Sequence, residues 1–254
     1  MYKAVIFDMD GTILDTITDI TDSVNYALAR MGERHDFTAD RVKLCFGSGI
    51  RADMEKTLAL SRGCSDRDIE FVGNSISVSS FGFTEKDVDR LESIFNPYYT
   101  AHSRNHTGPY EGIEPLLRKL KEKHVLTAVA SNKNDGDVKN LSDGLFPGLF
   151  ALSMGNSPAV HRKPAPDMID RILQELGVPR SEAVYVGDSE VDIETAKNSQ
   201  VPCISVAWGF RTVEFLKSHG ASVIVNRPEE LASLLLDSEQ HACGQSHRHG
   251  ASGF

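Results

Sequence analysis

Two aspartates one residue apart, Asp8 and Asp10, follow the apolar run Ala4-Val5-Ile6-Phe7 and precede Gly11-Thr12. An unpaired carboxylate is expensive to bury, so a strand that ends in two of them needs a cation, hydrogen bonds or a chemical task. An aspartate is a competent nucleophile toward phosphorus, and a second acid beside it can move a proton. Asp and Gly are also ordinary turn residues after a strand. The rest of the chain has to decide between these readings.

The same kinds of residue recur after other apolar segments. Ser131, Asn132 and Lys133 follow residues 125–130; Gly187, Asp188 and Ser189 follow residues 183–186, with Asp192 one helical turn later. Arg162, Lys163 and Pro164 lie in a loop before a helix. Carboxylates gathered at one place repel unless some are protonated or a cation sits among them. Oxygen ligands without paired His or Cys favour a hard ion, with Mg²⁺ the natural choice. A lysine opposite the ion balances the charge on a phosphate, and phosphoryl transfer needs mainly positioning and charge neutralisation. Singly, each residue has a plainer reading: Ser131 as a helix cap, Lys163 as a solvated surface lysine, Asp192 as an acid favoured at a helix start.

Elements that would bring these residues together can be read from periodicity. Residues 2–7, 125–130, 149–153, 183–186, 203–207 and 223–225 read as short buried strands. Residues 115–123, 166–176, 190–198 and 228–236 read as helices between them. Strands alternating with helices imply a doubly wound parallel sheet covered on both faces, an α/β core in which ligands bind at the carboxyl ends of the strands. Between the first strand and the rest lies a block with helical spacing only: residues 16–31, 40–46, 50–62 and 84–99, the last strained by Pro97. Residues 65–83 give no clear period. The expected organisation is a discontinuous core, 1–15 and 106–236, with an inserted α-helical module, 16–105, and a disordered tail, 237–254.

The chain has 254 residues and a net charge of -9, with no basic stretch, which argues against nucleic acid as a partner. Its apolar runs are too short for a membrane span, and the N-terminus lacks a signal-peptide core. Cys45, Cys64, Cys203 and Cys243 have no paired short spacing and read as free thiols of a cytoplasmic protein. His241, Cys243, His247 and His249 of the tail are read as part of an unstructured segment rather than as a metal site. Trp208 is read as a packing residue.

Asp8-Met9-Asp10-Gly11-Thr12, Ser131-Asn132, Lys163-Pro164 and Gly187-Asp188 with Asp192, in this order, resemble the four motifs of the haloacid dehalogenase superfamily. The resemblance covers nearly the whole chain except the tail. The helical insertion resembles that superfamily's alpha-helical cap, and Gly47-Ser48-Gly49-Ile50 is similar to the cap loop of its phosphoglycolate phosphatase branch. The resemblance implies an Mg²⁺-dependent phosphatase acting on a small phosphorylated metabolite. In that scheme Asp8 is the nucleophile and Asp10 the general acid and base. Asp8, the backbone carbonyl of Asp10, and Asp188 hold the metal, and Asp192 orients a metal-bound water or Lys163. Ser131, Asn132 and Lys163 bind phosphate oxygens, and the turn at Gly11 and Thr12 aims backbone amides at the phosphate. Gly49 and Arg51 are candidates for substrate selection, Arg51 by pairing with a substrate carboxylate. Phosphoglycolate is the candidate substrate, although residues 65–83 depart from the compact caps of that branch. The competing readings are a sugar phosphomutase, which uses the same two aspartates, and a catalytically silent metabolite-binding protein.

Overall fold

The computed structural model describes residues 2–236. Its elements in chain order are β1 (Ala4–Phe7), β2 (Leu14–Asp15), α1 (Ile17–Met31), α2 (Ala39–Lys43), α3 (Ile50–Ser61), α4 (Glu85–His102), β3 (Gly108–Pro109), α5 (Ile113–Glu122), β4 (Leu126–Asn134), α6 (Asp135–Leu145), β5 (Leu152–Asn156), α7 (Asp167–Leu176), β6 (Ala183–Gly187), α8 (Glu190–Asn198), β7 (Cys203–Val206), α9 (Val213–Ser218), β8 (Ile224–Val225) and α10 (Pro228–Leu236).

The main sheet is parallel throughout, in the order β5-β4-β1-β6-β7-β8. β1 is therefore central, and the chain leaves it toward both edges. The crevice at the carboxyl end of such a strand is where an open α/β sheet binds ligands. Every residue of β1 is buried, and the alternation of its side chains explains why. Val5 and Phe7 pack with Ile113, Leu117 and Leu231 of α5 and α10. Ala4 and Ile6 pack on the other face with Met168, Ile169 and Ile172 of α7. Strand β6 repeats the pattern, with Val184 and Val186 on the first face and Ala183 and Tyr185 on the second.

A third apolar cluster gathers the inward faces of α1, α3 and α4, including Ile20, Val24, Met54, Leu58, Leu91 and Phe95. Phe210, from the loop after β7, joins that cluster from the sheet side. The segment 65–83, which has no clear period, forms two 3-10 turns, Ile69–Phe71 and Val78–Phe81, that plug Ile69, Val72 and Phe83 into this cluster. The chain enters and leaves the helical block side by side. Leu14 pairs with Pro109 and Asp15 with Gly108 in a short antiparallel ribbon. Above it the buried carboxylate of Asp19 accepts from the amides of His106 and Thr107 and from the Thr107 hydroxyl, at 2.8–3.1 Å.

Several boundaries differ from those expected. β4 runs on to Asn134, with a register shift against β5 between Ala130 and Asn134. Ser131 therefore lies in a strand and caps no helix; the cap of α6 is Asn134, whose Oδ1 accepts from the Gly136 amide at 2.9 Å. α6 itself was not expected, because its two glycines blur the helical period. β5 starts three residues later than the apolar run suggested. α4 passes through Pro97 and continues to His102. The expected disordered tail and its histidines lie outside the described residues.

Candidate active site

Lys163 is 2% exposed, and its ammonium is met by acceptors on three sides. Nζ lies 2.8 Å from Asp8 Oδ1, 2.8 Å from Asp192 Oδ1 and 3.0 Å from the Tyr185 hydroxyl. A lysine so placed replaces its lost hydration with charge-assisted bonds and keeps its proton. Its loop is fixed by Asn132, whose Oδ1 accepts from the Lys163 amide at 2.8 Å while Nδ2 donates to the Lys163 carbonyl at 3.1 Å. The end of β4 and the loop before α7 are thus joined by one side-chain amide.

Asp192 spends both oxygens inside the protein. Oδ1 takes Lys163 and the Tyr185 hydroxyl, and Oδ2 takes the amides of Asp188 and Ser189 and the Ser189 hydroxyl. The bond from the Ser189 amide is half of a capping box that opens α8. Asp192 is equipped to hold Lys163 and to shape the turn carrying Asp188. Asp188 accepts from the Thr12 hydroxyl at 3.1 Å and from the Phe210 amide at 2.7 Å. It is crowded by backbone: a Cβ at Gly11 or at Gly209 would fall 2.3 Å from its Oδ2. The Gly11 φ of +78° is a further reason for glycine there.

Asp8, Asp188 and Asp192 each offer an oxygen within 4.8 Å of the others. Burial pushes Asp8 well above the usual carboxylate range and the Asp192 charge adds to it, while Lys163 opposes. Burial likewise pushes Asp188 up to about 7, with Asp192 adding and the Phe210 amide opposing. Three converging carboxylates against one lysine leave excess negative charge in a dry place. A hard divalent cation fits this oxygen-only donor set.

Asp10 points elsewhere. Its Oδ2 lies 3.2 Å from Lys133 Nζ, and its buried Oδ1 has no partner. Lys133 in turn donates to the Tyr99 hydroxyl of α4 at 2.9 Å and lies 4.4 Å from the Tyr99 ring centre. Sequence reading placed Lys133 at this strand end without a role; its pairing with a helix far away in the chain leaves no local pattern. Ser131 Oγ accepts from the Lys133 amide at 3.2 Å.

A cavity of about 560 Å³ lies between the sheet edge and the helical block. Asp8, Asp10, Ser131, Asn132, Lys163 and Asp188 line its floor, and Gly49 is in its roof. Four expected residues are not in this lining; Asp192 stands behind Lys163, and the other three are engaged elsewhere. The amides of Gly11 and Thr12 are used within their own turn, donating to the carbonyls of Leu14 and Met9, and the Thr12 side chain serves Asp188. The turn thus shapes the Asp188 carboxylate rather than presenting amides to a phosphate. Arg51 is engaged by Glu85, Asp89 and Glu55 on the outer surface of the helical block. The acids of α4 and α3 outcompete any cavity role for it.

Other contacts hold the roof. Ser48 donates its amide to Asp53 Oδ1 at 3.0 Å and accepts from Lys56 Nζ at 2.9 Å, fixing the Gly47–Gly49 loop. The buried guanidinium of Arg211 donates to the carbonyls of Lys43 and Phe46 while paired with Glu190. Trp208 does more than pack: its Nε1 donates to the Thr12 carbonyl at 3.0 Å.

Comparison with known proteins gives this arrangement its place. A family model for haloacid dehalogenase-like hydrolases matches residues 5–206. A phosphoglycolate phosphatase of Aquifex aeolicus is 29% identical over 234 residues, 92% of this chain and 96% of that protein. One from Agrobacterium fabrum is 30% identical over 214 residues, 84% of this chain and 83% of that protein. The crystal structure of a candidate phosphoglycolate phosphatase from Lactobacillus delbrueckii subsp. bulgaricus superposes with a TM-score of 0.90 at 45% identity, covering 93% of this chain and 99% of that one. Fold, site and likeness together define an α/β phosphoric monoester hydrolase. The chain belongs to the haloacid dehalogenase-like hydrolase family.

Proposed function

We propose that this chain is an Mg²⁺-dependent phosphatase of a small phosphorylated metabolite, working through an aspartyl-phosphate on Asp8. The observation that carries the reading is Lys163, which bridges Asp8 and Asp192 at 2.8 Å each inside a cluster of three carboxylates. Asp8, Asp188 and the backbone of Asp10 would hold the cation, which would supply charge neutralisation for the phosphate. Lys163 and Ser131 would bind phosphate oxygens from the floor, with Asn132 keeping the Lys163 loop in place. An oxygen of Asp8 attacks phosphorus, forming a P–O bond as the bond to the leaving oxygen breaks. Asp10 gives its proton to that oxygen. It then takes one from the water that attacks the phospho-enzyme, and the Asp8–phosphorus bond breaks to release phosphate. Residues 16–105 act as the cap that shuts out bulk water, and 1–15 with 106–236 as the catalytic core. Three free thiols among the described residues, Cys45, Cys64 and Cys203, suit a reducing cytoplasm.

Relatives named phosphoglycolate phosphatase make phosphoglycolate the first compound to test. Phosphate release from a panel of phosphorylated metabolites, with Mg²⁺ and with EDTA, decides the reading. Metal-dependent turnover supports it; no turnover of any ester in Mg²⁺ overturns it.

A further inference from the structure

The cavity is lined differently at its two ends. Lys163 and Asp8 are at the floor; the wall where a leaving group would lie is built from one face of α4, the ends of β4 and β5 and the first turn of α6. Glu92, Asn96 and Thr100 are spaced four residues apart and so present a single helical face. Asn134, Asp137 and Asn156 line the same cavity from the core. The groups on offer are thus side-chain amides, a hydroxyl and two carboxylates. Asn96 Nδ2 reaches Glu92 Oε1 only at 3.4 Å, and neither Glu92 nor Asp137 has a cationic partner among the described residues.

Cations are scarce on this wall. Lys133 lines it but is already bound by Asp10 and Tyr99. Arg162 lies against Gly49, close enough that a Cβ there would fall 2.8 Å from its Nη1, yet it is exposed and outside the lining. A carboxylate on the leaving group would face two unneutralised acids and would have to draw Lys133 away from Asp10. A neutral leaving group with several hydroxyls meets none of these penalties. Each hydroxyl both donates and accepts, which suits amide pairs and carboxylates. The volume, about 560 Å³, also exceeds what a two-carbon phosphoester fills.

We propose that the preferred substrate is the phosphate monoester of an uncharged polyol or sugar, held by Glu92, Asn96, Thr100, Asn134, Asp137 and Asn156, rather than a phosphorylated carboxylate. The proposal rests on the phosphatase reading above and narrows it.

The test measures kcat/KM in Mg²⁺ for p-nitrophenyl phosphate, phosphoglycolate, phosphoethanolamine, glycerol phosphate and pentose and hexose phosphates. The expected result is at least a tenfold preference for a polyol or sugar phosphate over both phosphoglycolate and phosphoethanolamine. In the double variant E92Q with D137N, shown to be folded by its thermal transition, the preference over phosphoglycolate is expected to shrink at least threefold. Phosphoglycolate as the best substrate overturns the proposal and leaves the phosphatase reading standing. Phosphoethanolamine as the best substrate also overturns it, and points to an ammonium between Glu92 and Asp137. An unchanged preference in the double variant overturns the assignment of this wall. No hydrolysis of any ester, p-nitrophenyl phosphate included, overturns the phosphatase reading itself and this proposal with it.

Discussion

Lys133 Nζ donates to the Tyr99 hydroxyl at 2.9 Å, so a lysine at the end of a core strand is bonded to a helix of the inserted block. The same ammonium holds Asp10 at 3.2 Å. The proposed general acid is therefore positioned partly by the roof. Tyr99→Phe removes one hydrogen bond to a charged donor, worth about 1.5–3 kcal/mol. We expect kcat/KM to fall roughly tenfold or more by that measure, with the thermal midpoint moved by only a few degrees. Steady-state kinetics beside a melting curve checks this.

Asp8→Asn keeps the shape of the side chain and removes the proposed nucleophile. Turnover is expected to fall by about four orders of magnitude or more, the scale seen when an activated nucleophile is lost. The variant should remain folded, because the carboxylate it replaces is strained upward by burial rather than held down by its partners. Multiple turnover in this variant would refute the nucleophile assignment.

Asp53 lies in the roof and is pushed up to about 6, by burial first, against the pull of Lys56 and the Ser48 amide. A folded-state value above the unfolded one means that the native protein binds the extra proton. Stability from this group is therefore present at low pH and is lost as pH rises from about 4 to about 6. Asp53→Asn should flatten the fall in unfolding free energy across that window, by up to a few kcal/mol. Urea melts of both proteins at pH 4, 5, 6 and 7 measure it.

Magnesium should stabilise the fold through linkage, because the carboxylates that would hold it are assembled only in the native state. At a hundredfold excess over the dissociation constant, the gain is about 2.7 kcal/mol. A thermal shift of several degrees on adding Mg²⁺, reversed by EDTA, is expected of the wild type. Asp188→Asn should abolish most of it. A full shift in that variant would remove Asp188 from the metal site.

The parts legible in the sequence were those with local signatures. The apolar runs of β1 and β6, the apolar stripe of α1 and the glycine stops of α1 and α7 are all set by neighbours in the chain. So was the order in which Asp8, Ser131, Lys163 and Asp188 reach one sheet edge. What escaped depends on distant partners. Lys133 acquires its role from Tyr99, Arg211 from the carbonyls of Lys43 and Phe46, and Asp19 from the chain as it returns at His106. Arg51 was misplaced for the same reason: its partners Glu85 and Asp89 lie more than thirty residues away, on a helix whose orientation no local pattern gives. The Gly11-Thr12 turn was read with its amides outward, and only the closed turn shows them bonded to Leu14 and Met9.

The ribbon of Leu14-Asp15 with Gly108-Pro109, locked at its upper end by Asp19, sets how the helical block can move. Two separate tethers would let it tilt and swivel freely. One narrow two-stranded strap confines it to bending and twisting about a single line, so a block that closed about it would return Tyr99 to the same lysine. For anyone exchanging this block with that of a relative, the unit to transplant is the strap with its Asp19 clasp, cut on the sheet side of both strands. A graft joined within the strap would carry the helices across and lose their alignment.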